Sequence, residues 1–123
     1  MRRHILLALL LTACGSQNNS RIQANELAAF VAIRAINAEQ THFFTTNSRY
    51  ASQLSELGNI IPASGISRNY EFQLTGDGKT YQIAAVPQTY GATGRQSFYT
   101  DQTLIIRATD GPQPASAASP EIR

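Results

Sequence analysis

Tyr70-Glu71-Phe72-Gln73-Leu74-Thr75-Gly76-Asp77-Gly78-Lys79-Thr80-Tyr81-Gln82-Ile83-Ala84-Ala85-Val86-Pro87 is the stretch on which the fold turns. Tyr70, Phe72 and Leu74 alternate with Glu71, Gln73 and Thr75, the period-two pattern of a strand with one face buried. Gly76-Asp77-Gly78 is a tight-turn signal. Tyr81, Ile83 and Ala85 then alternate on a return strand that Pro87 stops, because proline has no N–H to give a ladder. Residues 70–87 therefore predict an antiparallel hairpin.

Downstream, a loop from Gln88 to Gln96 with two glycines leads to Ser97–Asp101 and Leu104–Ala108, which predict a second, shorter hairpin. Upstream the period changes. From about Gln23 to Thr46 there is no Gly or Pro, and Ala, Leu and Glu are frequent, so the segment predicts one long helix. Ala29, Ala32, Ile33, Ile36 and Phe43 fall on one stripe, suited to packing on the sheet. Leu27, Val31, Ala35 and Ala38 fall on a second stripe well round the cylinder, with Arg34, Asn37 and Thr41 on a polar strip between. That second stripe reads either as a contact face for a partner or as an Ala-rich surface that a monomer tolerates. Ala51 to Leu57 suggests one further short turn, closed by Gly58. One long helix and four antiparallel strands make an α+β domain, with the helix across one sheet face.

The ends differ in character. Arg2, Arg3 and His4 precede an unbroken apolar run of seven residues, Ile5 to Leu11, far below the roughly 20 that span a bilayer. Leu11-Thr12-Ala13-Cys14 follows and resembles the bacterial lipobox. The resemblance implies that lipoprotein signal peptidase recognises Leu11, Thr12 and Ala13, cuts before Cys14, and leaves that cysteine lipidated. Gly15, where an Asp would retain such proteins in the inner membrane, implies travel to the outer membrane. Ser16 to Ser20 is polar and aperiodic, as in a flexible tether. Asp110 to Arg123 holds three prolines and five Ala or Ser residues, and predicts a disordered tail. The organisation expected is a signal peptide at 1–13, lipidated cysteine and tether at 14–22, a domain at 23–109 and a tail at 110–123.

Charge and composition exclude several functions. Two of the ten Lys and Arg residues lie in positions 1–13, leaving eight basic against eight acidic residues beyond them. No basic patch remains to suggest nucleic acid. Cys14 is the only cysteine, which rules out disulfides within the chain and cysteine-based metal sites. Gly78-Lys79-Thr80 is not a phosphate loop, since position 73 is Gln where that motif needs Gly. Gly91-Ala92-Thr93-Gly94 reads as loop flexibility rather than an anion nest. His42 is the one histidine beyond the signal, and no Gly-x-Ser-x-Gly elbow accompanies it. Asp77, Asp101 and Asp110 lack calcium-loop spacing and read as turn residues. No catalysis, cofactor or metal is expected.

Ala32-Ile33-Arg34-Ala35-Ile36-Asn37-Ala38-Glu39-Gln40 resembles the helix of type IV pilins and type II secretion pseudopilins, and Thr41 to Tyr50 and Ala51 to Gly58 continue the likeness. Tyr70-Glu71-Phe72, Gly78 to Tyr81, Ala84-Val86-Pro87 and Gly94 to Gln102, ending in Ile106-Arg107, resemble a pilin-like globular domain in collinear order over about 80 residues. The chain departs from pilins at its start: the long apolar helix, the prepilin-peptidase glycine and the following glutamate are missing, and the lipobox stands in their place. The resemblance implies the soluble half of a pilin on a lipid anchor, a non-catalytic structural or interaction component of a pilus or secretion system. A ligand-binding or enzymatic envelope lipoprotein reusing the fold is the alternative.

Overall fold

The computed structural model describes residues 2–122, with side chains from residue 18 onward. Helix α1, Arg2–Asn47, crosses one face of a five-stranded sheet formed by β1 (Ile66–Ser67), β2 (Tyr70–Gly76), β3 (Tyr81–Pro87), β4 (Gln96–Asp101) and β5 (Arg107–Asp110). The strands form an antiparallel meander in chain order. The α+β layout stands, with one strand more than the four expected.

The central hairpin forms as predicted, and its register runs from Tyr70 opposite Pro87 to Gly76 opposite Tyr81. Tyr70, Phe72, Tyr81, Ile83 and Ala85 point to the helix side and join Ala29, Ile33 and Ile36 of α1 in the core. Ala32 and Phe43, the other members of the predicted stripe, pack at its margin. Asp77 Oδ1 accepts hydrogen bonds from the Lys79 and Thr80 amides and closes the turn. Gly78 O then accepts the Tyr50 amide at 2.8 Å, so this turn holds the chain leaving the helix.

Four features differ from the sequence reading. The extra strand β1 is two residues long, too short to show alternation. It reverses through Arg68 and Asn69, both at positive φ (52° and 67°), as a two-residue hairpin turn requires. The strand expected at Leu104–Ala108 starts instead at Arg107, because Asp101 caps a turn through Thr103 and Leu104 sits at φ 66°. Ser16 to Ser20, read as tether, continues the helix. It is polar but contains no breaker, and each residue added to an existing helix gains a hydrogen bond. Ile22, four percent exposed, fastens the segment to the domain.

The segment after Asp110, read as disordered, lies along β5. Ala108 N donates to Pro120 O and Ile122 N to Ile106 O, each at 2.9 Å, and Arg107 Nη1 reaches Ser119 O. Ala115 is buried and Ile122 packs on the core. An open edge strand offers unpaired N–H and C=O groups. The tail's prolines remove donors only where none is used, so its composition hides this pairing.

The loop from helix to sheet is closed by Glu56. Its carboxylate accepts the Ser52 amide at 2.8 Å and the Gln53 amide at 3.3 Å, and pairs with Arg49 Nη2 at 2.8 Å. The Arg49 bond first, then these amides, hold its pKa at about 2. A depressed carboxylate contributes stability above its ordinary pKa and loses it as pH falls toward 2. Since the pair is partly exposed, the contribution is about 1 kcal/mol or less. Glu56→Gln is expected to lower Tm slightly at pH 6, and the gap to the parent should close between pH 4.5 and 2. A gap constant across that range would show that Glu56 does not act as an ionised staple.

Candidate functional site

Helix α1 presents two opposite faces. Ala29, Ile33, Ile36 and Gln40 are buried against the sheet and the loop after the helix. On the other side Leu27 is 63% and Val31 55% exposed, among the most exposed large apolar side chains of the described residues. Ala38 is exposed and Ala35 half-buried. Apolar groups left in water at regular helical spacing are the exception that asks for a reason.

An open groove of about 500 Å³ runs along this face. Its helix bank is Ala24, Leu27, Ala28, Val31, Ala32 and Ala35, and its far bank is Ile60, Ser67 and Arg68. Three of the four face residues predicted from sequence, Leu27, Val31 and Ala35, thus meet in one place. Ala38 lies a turn further on, beside a hollow of about 280 Å³ that includes Arg34, Asn37, Thr41 and Leu104. The far bank was not legible in the sequence. It comes from the loop before β1, the end of β1 and the β1–β2 turn, whose residues show no periodicity.

Asn37 departs from the reading that placed it on the polar strip: it is buried. Its Nδ2 donates to Thr100 Oγ1 at 3.0 Å and its Oδ1 accepts the Tyr81 hydroxyl at 2.8 Å. One turn later Gln40, fully buried, both donates to Ala51 O (2.9 Å) and accepts from Ala51 N (2.8 Å). These amides tie the helix to β3, β4 and the following loop, and so fix the angle at which the exposed stripe is presented.

A second, polar cleft of about 480 Å³ lies between the middle of α1 and the loop after β3, lined by Asn19, Gln23, Glu26, Tyr90, Arg95 and Asp110 among others. Burial raises the Glu26 pKa; the Arg95 amide and charge oppose this, and Asp110 adds to it. The Gln88–Gln96 loop is tied down rather than loose. Thr93 Oγ1 accepts the Thr89 amide at 3.1 Å, and Asn25 Nδ2 donates to Thr93 O at 3.0 Å. A Cβ on the buried Gly94 would collide with the Tyr70 ring, whose hydroxyl is bonded to Gln96 O at 2.6 Å.

His42 stands exposed on the helix. Asp77 and Asp101 cap their own turns, while Asp110 faces the polar cleft. Among the described residues no three His, Cys, Asp or Glu side chains gather as a metal site would require. Leu11, Thr12, Ala13 and Cys14 lie outside the residues whose side chains are described. Among the described residues no helix is long and apolar enough to cross a membrane. The chain matches no protein-family model and no curated relative.

Proposed function

We propose that this chain is a non-catalytic lipoprotein of the bacterial envelope, held at the outer membrane by a lipid on Cys14. Its pilin-like domain offers the exposed helix face to a protein partner in a type IV pilus or type II secretion system. The observation that carries the interaction reading is the apolar stripe of exposed Leu27 and Val31 with half-buried Ala35, lining an open groove between the helix and the β1–β2 region. The pilus or secretion context rests on the sequence resemblance.

The stripe is outside the core, so changing it should separate binding from folding. Val31→Asp and Ala38→Asp are each expected to alter stability by no more than about 0.5 kcal/mol, as surface substitutions do. Burying an unpaired carboxylate at an interface costs several kcal/mol, so both variants should lose at least 90% of the co-purified partner. Unchanged co-purification and an unchanged pilus or secretion phenotype would remove the interaction reading. The polar cleft supports the alternative of a ligand-binding or enzymatic lipoprotein, since its volume falls in the usual range for small-molecule sites. A phenotype lost with Glu26→Gln and kept with Val31→Asp would favour that alternative.

A further inference from the structure

We infer that the partner covering this face is a second copy of the same chain, its α1 lying parallel and in register with the first. The inference rests on the interaction reading above and names its partner. Ala24, Ala28, Val31, Ala35 and Ala38 are spaced four, three, four and three residues apart, the a/d repeat of a coiled-coil seam. They lie opposite the buried Ala29, Ile33, Ile36 and Gln40, so one helix serves its own sheet and a neighbour at once. The small seam residues allow close approach of the two backbones, and Val31 meets its own copy at the centre.

The flanking positions identify the occupant and its direction. With Ala28 and Ala35 at a, Leu27 and Arg34 take g positions, and Ala32 and Glu39 take e positions. A parallel in-register pair sets each g residue against the partner's e residue five positions later. Arg34 then faces the partner's Glu39 on both sides of the seam. Both side chains are exposed, and neither forms an ion pair among the described residues. Leu27 faces the partner's Ala32, at the groove whose far bank is Ile60, which gives the most exposed of these side chains a place to be buried. An antiparallel pair centred on Val31 sets Arg34 against Ala28 and Glu39 against Gln23, and loses both charge pairs. Parallel packing also brings both Cys14 anchors to the same membrane. Confinement there raises the effective concentration of a pair whose Ala-rich seam is weak in dilute solution.

The test uses the full-length chain in the membranes of producing cells; Cys14 is the only native cysteine, and on the proposed anchor its lipid leaves an introduced cysteine as the only free thiol. Val31→Cys is expected to form at least tenfold more disulfide-linked dimer under mild oxidation than Gln73→Cys, an exposed position on the sheet. Adding Arg34→Glu to Val31→Cys should reduce the yield several-fold, and adding Glu39→Arg as well should restore it. Equal yields from Val31→Cys and Gln73→Cys would overturn the dimer. So would efficient linkage between Ala24→Cys and Ala38→Cys chains, which only the antiparallel arrangement brings together. If no linkage forms while Val31→Asp still strips a different protein from the tagged chain, the dimer fails and the interaction reading survives. If Val31→Asp strips nothing, that reading fails first.

Discussion

Asn37→Ala is expected to destabilise the domain by about 3 kcal/mol. Asn37, Tyr81 and Thr100 are all buried and form one chain of bonds. The Tyr81 hydroxyl donates to Asn37 Oδ1, Asn37 Nδ2 donates to Thr100 Oγ1, and the Thr100 hydroxyl donates to Ile105 O at 2.9 Å. Each bond contributes about 1 kcal/mol net, and a buried polar group left without a partner costs about 1–3 kcal/mol more. Removing Asn37 breaks two bonds and strands the Tyr81 hydroxyl, whose pKa burial already pushes well above that of a free phenol. For a domain of this size about 3 kcal/mol corresponds to a Tm lower by roughly 15 °C. The decisive measurement is a double-mutant cycle by urea unfolding of the full chain. Tyr81→Phe alone should cost about 1 kcal/mol, and Asn37→Ala with Tyr81→Phe should cost clearly less than the two losses summed, because no hydroxyl is then stranded. Strict additivity, or a Tm shift under 3 °C for Asn37→Ala, would show that the network does not hold the helix to the sheet.

That network also marks where sequence reasoning stops. The hairpin from Tyr70 to Pro87 was legible because its two strands alternate and share one turn, so period and turn chemistry agree. The buried stripe of Ala29, Ile33 and Ile36 was legible for the same kind of reason. Asn37 was not, since a polar residue one position beyond an apolar stripe belongs by default to solvent. Only its partners, 44 and 63 residues away, reverse that assignment. The β5 edge was illegible for a related cause: the pairing of Ala108 with Pro120 depends on backbone groups, which every residue type shares. The site divides likewise. Leu27, Val31 and Ala35 stood out as apolar positions with no core role. Ile60, Ser67 and Arg68 acquire theirs only when the β1–β2 turn is brought beside the helix. The polar cleft draws on residues from Asn19 to Asp110, a span no local pattern can join.

Cys14→Ser is expected to abolish lipid labelling altogether, the largest effect of any single change. The thiol is the only group in the Leu11-Thr12-Ala13-Cys14 segment able to carry a thioether-linked diacylglyceride, and no other cysteine exists to replace it. Serine is nearly isosteric, so the substitution is expected to leave the proposed recognition of Leu11, Thr12 and Ala13 intact while removing the acceptor. Incorporation of labelled palmitate should fall to background, and the chain should keep residues 1–13, because lipoprotein signal peptidase acts after lipidation. The energetic contrast is wide. Each buried methylene contributes about 0.8 kcal/mol, so two acyl chains anchor stably where one is marginal. Ile5 to Leu11 gives only seven apolar residues, too few to span the bilayer. Alkaline extraction should therefore release the Cys14→Ser chain and leave the parent in the membrane pellet. A variant that still incorporates palmitate, or remains with the membranes while cut before position 14, would overturn the anchor. On the proposed anchor, the helix also sets how far the proposed interaction face lies from the lipid. Helix α1 runs through Cys14 without a break. At 1.5 Å per residue Leu27 lies about 20 Å along the helix from Cys14, the length by which a lipid there would set the face apart from its point of attachment.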